Sequence, residues 1–342
     1  MAQLAHSRWP IALLAAASLA APVQAEAPAA SFVKAETIAA PDGSWDIAAW
    51  DTTHGKLLVA HGRDLLVVDP AHGNAVHEFG TLEGAHGVLA LPGGNLALVA
   101  SGKDNTVRLI DETNGAEAAR IAVGEDPDAA ILSQDGKNAF VMDAGGALSV
   151  LNLAQRKETQ RIVLKPGLEF PVQYAPDKVA VNNEDLNEIE LADLATGKMA
   201  GAIALTGCTG PTGMAYDAVT GLSLSTCANG KAALVDLASR KLVALVSIGL
   251  GPDTAIWDGS HRRFLVPCGK SGTLSIIHME GRKPVVEPEV MTEVSARTAA
   301  YDPSTGRLYL PSARFEAPVP PAKRGAMIPG TFHILVMGPV RG

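Results

Sequence analysis

The chain has 342 residues, 47% hydrophobic, 19% charged and 4% aromatic, with 28 Lys and Arg against 36 Asp and Glu. This composition excludes a disordered or collagen-like chain, and three cysteines are too few for a disulfide scaffold. A formal charge of −8 argues against a protein that tracks phosphates, which needs a basic face.

Residues 1–25 read as a secretory signal peptide. Arg8 precedes an unbroken run of apolar and small residues from Ile11 to Ala21, and Val23-Gln24-Ala25 is a small-x-small cleavage pattern. That run covers only about half a bilayer core, and no later stretch is longer, so no membrane span is expected. The expected mature chain, residues 26–342, is periplasmic or secreted, where disulfides persist.

From residue 31 onward the sequence repeats. Short apolar runs end in a polar residue at Asp69, Asp111, Asn152, Asp193, Asp236 and His278, and neighbouring anchors are 41 to 43 residues apart. A last run, Phe332-His-Ile-Leu-Val-Met337, follows a Pro-rich insertion at 317–331. Turn residues punctuate each period, as in Asp51-Thr-Thr-His-Gly55, Asp217-Ala-Val-Thr-Gly221 and Glu112-Thr-Asn-Gly115. No long amphipathic helix pattern follows the signal. Four short strands per period of about 42 residues predict an all-β, seven-bladed β-propeller as a single domain over residues 26–342.

We label the strands of a blade A to D from the axis outward. Strand A is expected to begin near Trp45, His86, Pro127, Pro171, Pro211, Pro252 and Ala296. The last period supplies A, B and C but no D. A spare strand at 31–40, before the first A, is expected to fill that place and close the ring, removing the open sheet edges.

The stretch Val99-Ala-Ser-Gly-Lys-Asp-Asn-Thr-Val-Arg-Leu-Ile-Asp111, followed by Arg120-Ile-Ala-Val-Gly124, resembles the YVTN-type repeat of the YncE-like propellers of bacterial envelopes. The resemblance runs from about residue 31 to 338. It implies seven blades and a periplasmic location. That group has no single agreed activity, so the resemblance leaves function open.

Chain direction sorts polar residues onto two faces: the D-to-A connections and B–C turns share one, and the A–B and C–D turns share the other. The entries into strand A place Asp46, His86, Asp128, Gln173, Thr212, Asp253 and Arg297 near the mouth of the axial channel. The B–C position aligns His61, Ser101, Asp143, Asn183, Cys227, Cys268 and Ser312 on the same face. The candidate ligand-binding set is therefore Asp46, His61, His86, Asp128, Gln173, Asp253 and Arg297. Cys208 lies in the connection into blade 5, so a Cys208–Cys227 disulfide is expected and Cys268 is left over.

Five of the nine histidines fall between His54 and His86, but the blades split them between faces, so no metal site is expected. No nucleophile elbow, phosphate loop or haem motif is present, and no cofactor is expected. The 4% aromatic content leaves few stacking platforms for nucleic acid. The sequence points to a non-enzymatic monomer that binds a small molecule or envelope protein at the channel mouth. The alternative is a metal-assisted hydrolase or lactonase built on Asp46, Asp128 and Asp253. The Pro-rich insertion is either a lid over the mouth, an extended strand for a partner, or a disordered loop.

Overall fold

The computed structural model describes Met1, residues 32–321 and residues 324–340; the expected signal peptide lies outside them except for Met1. Seven antiparallel sheets, each built on the expected A-B-C-D order, form a seven-bladed β-propeller. Strands B and C are buried along almost their whole length, as in Leu96–Ser101 and Leu222–Cys227. Each blade is sandwiched between two others, so both faces of its middle strands must be apolar, and they read as unbroken Val, Leu and Ala runs. The outer D strands alternate, as in Lys241–Ser247, because one face meets solvent.

The core is therefore a set of clusters between adjacent blades. Trp45, Leu57, Leu66, Tyr309 and Ile334 pack blade 7 on blade 1, and Leu58, Leu65, Val88 and Val99 pack blade 1 on blade 2. Near the axis the inner strands crowd together. A Cβ on Gly87 would stand 2.1 Å from the Asp128 carbonyl oxygen, and one on Gly213 would stand 2.5 Å from the backbone of Thr254. In blades 1, 5 and 7 the A–B turn is held by an Asp at the end of strand A: Asp51 accepts from the Thr53 N–H at 2.8 Å, Asp217 from the Val219 N–H at 2.9 Å, and Asp302 from the Ser304 N–H at 2.9 Å.

The ring closes on the N-terminal strand. Phe32–Ala39 pairs antiparallel with His333–Pro339, from Phe32 opposite Pro339 to Ala39 opposite His333. It takes the D position of blade 7, as the missing fourth strand predicts. Phe32 and Ile38 are buried, and Asp42 accepts from the N–H groups of Gly330 and Phe332 at 2.5 and 3.1 Å. Three strand starts differ from expectation. Blade 4 begins at Leu168 rather than Pro171, and regular pairing in blades 6 and 7 begins at Ile256 and Ala300. In blade 6, Pro252 still bridges Cys268, and a bulge separates that bridge from Ile256.

Cys208 and Cys227 are bonded, with Cα atoms 5.3 Å apart, and Cys268 is a free, buried thiol that desolvation pushes up to about 11. Deleting residues 32–42 is expected to lower the melting temperature by about 10 °C or more, because two buried anchors and one whole edge pairing go; calorimetry checks this, and an unchanged melting temperature contradicts the closure. Alkylation and mass spectrometry without reductant are expected to label Cys268 alone, and only after unfolding. Reducing the 208–227 bond should then cost about 3 kcal/mol.

Candidate functional site at the channel mouth

Strand pairing fixes which residues share a position. The first paired residue of A lies opposite the last of B in six blades: Trp45 with His61, Ala85 with Ser101, Pro127 with Asp143, Leu168 with Asn183, Pro211 with Cys227 and Pro252 with Cys268. The next residue of A starts a bulge in each case, a device that re-aims a side chain out of the ladder. That position holds Asp46, His86, Asp128, Glu169, Thr212 and Asp253, with Arg297 following Ala296 in blade 7.

Two expected members of the site lie elsewhere. Gln173 stands near the far end of its strand, Leu168–Ala175, on the A–B face. Its Oε1 accepts from the Gln134 N–H at 2.6 Å and its Nε2 donates to the Pro176 carbonyl at 2.9 Å. Proline opens the A pairing in blades 3, 5 and 6, but Pro171 sits inside its strand opposite Val181. Counting from Pro171 therefore missed Glu169, which the register identifies. His61 lies behind the mouth. It is 2% exposed, its ring packs 4.7 Å from that of Phe332, and its Nδ1 is 3.2 Å from Glu78. Gly43 presses on it so closely that a Cβ there would stand 2.4 Å from the ring, and burial lowers its pKa.

The remaining residues converge. His86 Nδ1 is 2.9 Å from Asp46 Oδ2 and 3.9 Å from Asp128 Oδ1. Arg297 Nε donates to Asp253 at 2.6 Å, and its Nη2 donates to the Trp45 carbonyl at 2.8 Å and reaches Asp46 at 3.5 Å. Its Nη1 is buried with no hydrogen-bond partner among the described residues. Thr212 is committed to the frame through Thr226 and the Pro252 carbonyl, both at 3.2 Å.

Four carboxylates around one opening repel one another, and only two cationic side chains in the row answer them. Burial first, and then the negative charge of Asp46, pushes Asp128 up to about 7. Burial and the charges of Asp128, Glu184, Asp253 and Asp46 push Glu169 up to about 10. Burial also raises Asp253, against the pull of Arg297. The hydrogen bond to Asp46 raises His86, so its imidazole stays protonated to higher pH. The mouth thus stores protons on carboxylates that a cation would displace. Asp46, His86 and Asp128 offer three ligand atoms within 4.8 Å of one another, a spacing that can hold a metal ion.

Beside the mouth a cleft of about 1290 Å³ opens, reached by Asp253 and Arg297 on one side. The Pro-rich insertion forms its other wall. The insertion folds back on itself through the Glu316 N–H to Ala326 and Ile328 N–H to Arg314 bonds, both 2.9 Å. Phe315 stands 6.0 Å from the Trp45 ring, with the Arg324 guanidinium 5.0 Å above it. Arg314, Phe315, Glu316, Pro318 and Arg324 of this segment line the cleft on the mouth face.

The chain matches no protein-family model, and no curated protein matches it. Solved structures do. Hydrazine synthase from Kuenenia stuttgartiensis is 15% identical with a TM-score of 0.68, covering 81% of this chain and 94% of that one. A chain of a mitotic checkpoint complex is 12% identical with a TM-score of 0.72, covering 97% and 98%. At such identity the likeness is one of propeller fold alone.

Glu169 and Asp128 keep their protons to higher pH in the fold than in the unfolded chain. Their contribution to stability is full below about pH 4 and is lost as pH rises toward 7 and then 10. Glu169→Gln is therefore expected to raise the melting temperature at pH 8 by about 3 °C or more, with no gain near pH 4. Melting curves across pH check this; a gain independent of pH contradicts it.

Proposed function

We propose that this chain is an exported, non-enzymatic propeller of the YncE-like, YVTN-repeat kind that binds a small ligand at the channel mouth. The observation that carries the reading is the convergence of Asp46, His86, Asp128, Glu169, Asp253 and Arg297 on one opening that leads into the cleft. With its four carboxylates ionised the row is net negative, so it suits a cationic group: a protonated amine or a metal ion. Arg297 Nη1, an unused donor, and Arg324 in the cleft wall suit an acidic group on the same ligand. A compact zwitterion is the ligand class that meets both. The Cys208–Cys227 bond and the signal-like residues 1–25 support an oxidising compartment outside the cytoplasm.

A second reading, a metal-assisted hydrolase or lactonase, draws on Asp46, His86 and Asp128. An ion held there would polarise a carbonyl of a substrate that enters the mouth.

Thermal shift against amino acids, polyamines, Ca²⁺, Mg²⁺ and Zn²⁺ tests both. Binding is expected to raise the melting temperature and release protons, and Asp128→Asn is expected to weaken it by tenfold or more. Calorimetry in buffers of different ionisation heat reads the protons directly. Binding that survives Asp46→Asn with Asp128→Asn, or no response to any of these ligands, rejects the mouth as the site. Turnover of simple lactones or esters that chelator abolishes and a metal ion restores would favour the hydrolase.

A further inference from the structure

The seven-fold repeat provides internal controls for any residue that breaks its pattern. Consider the residue that follows the polar anchor of strand C, such as Asn152, Asp193, Asp236 or His278. Its N–H donates to a carbonyl of its own blade's A–B turn: Leu153 to Lys137 at 3.1 Å, Leu194 to Asp177 at 2.9 Å and Met279 to Arg262 at 2.8 Å. Leu237 follows strand C of blade 5 in the same way. Blade 2 makes the same bond, from Glu112 to Asn95 at 2.8 Å, but puts a carboxylate in that apolar slot. Glu112 is 2% exposed, and neither of its oxygens accepts a hydrogen bond. The cations near it, His54 Nδ1 at 3.1 Å and Lys56 Nζ at 3.5 Å, both face Oε1, which leaves Oε2 unmet among the described residues. A carboxylate buried in this way is strongly destabilising unless a cation meets it or it takes a proton.

What Glu112 faces is the A–B turn of blade 1. Asp51 there is 4% exposed, and its Oδ2 lies 2.6 Å from His54 Nδ1. One ligand atom from each of Asp51, His54 and Glu112 lies within 4.8 Å of the others. Blade 6 repeats the Asp-His turn with Asp258 and His261, 2.7 Å apart. There Arg263 Nε closes the carboxylate at 3.0 Å. Blade 1 thus has the same turn, but Lys56 stands where blade 6 has Arg263, and a second carboxylate, Glu112, reaches the turn from blade 2.

We infer that Asp51, His54 and Glu112 form a binding site for one divalent transition-metal ion of the zinc class, joining blades 1 and 2 on the face opposite the channel mouth. One imidazole and two carboxylates form a zinc donor set with a fourth position left for water, and the imidazole disfavours Ca²⁺ and Mg²⁺. Zinc bonds of about 2.1 Å set tetrahedral ligand atoms roughly 3.4 Å apart. The 2.6 and 3.1 Å separations open to that by less than 1 Å, and His54, 29% exposed, is the part free to move and the route of entry. Lys56 offsets part of the charge without an ion, and its long stem lets the ammonium swing aside when one binds.

Zinc titration by calorimetry of chelator-stripped protein carrying Asp46→Asn, His86→Ala and Asp128→Asn tests this site apart from the mouth. One equivalent of zinc is expected to bind. Glu112→Leu, which restores the residue of blades 3 to 5, is expected to remain folded and weaken zinc at least tenfold. His54→Ala, at a half-exposed side chain, repeats the test should the Glu112 variant fail to fold. Lys56→Met is expected to tighten zinc by about threefold or more. No zinc bound in the mouth-variant protein, or unchanged affinity in the Glu112 and His54 variants, overturns the site while leaving the mouth reading intact.

Discussion

Everything in this molecule depends on blades that bury both faces. A four-stranded blade with Leu57, Val59, Leu66 and Val68 on one side and Leu58, Ala60, Leu65 and Val67 on the other has no solvent face for its middle strands. It is stable only between two neighbours, and seven such units satisfy one another only as a closed ring. The N-terminal strand is therefore as structural as any core residue. It converts blade 7 from an open edge into a full sheet, and Asp42 ties the end of the insertion to it.

Closure also creates the site. Because each strand A enters from the same face, and six of the seven bulge at the same step, one position per blade is delivered to one opening. The symmetry that makes the fold cheap to specify brings like charges together there, and the protein answers them unevenly. Arg297 ties Asp253 and Asp46, His86 ties Asp46 and Asp128, and Glu169 holds its proton. A crowded, partly protonated set of carboxylates is poised for a cation. Glu112 follows the same logic on the other face, as a charge placed where the repeat supplies leucine.

How much was legible without coordinates varies by residue. The propeller, its closing strand and the Cys208–Cys227 proximity follow from period and chain direction, which need only local periodicity. Asp46, His86, Asp128, Asp253 and Arg297 follow because their blades keep the common spacing. Glu169 did not, because Pro171 offered a false start and only pairing opposite Asn183 shows where the strand begins. His61 was placed on the correct face but not at the correct depth, since nothing local says that Gly43 and Phe332 cover it.

By itself the sequence determined what is periodic: strand length, turn chemistry, blade number and which face each turn joins. Those properties depend on neighbours along the chain and on an alternation that the side chains carry openly. Only the tertiary structure decided what depends on neighbours across blades: the pairing of Arg297 with Asp253, the shared charge that raises Glu169, and the meeting of Glu112 with Asp51 and His54. These contacts join residues tens to hundreds of positions apart, and their energies depend on burial, which exists only once the ring has closed.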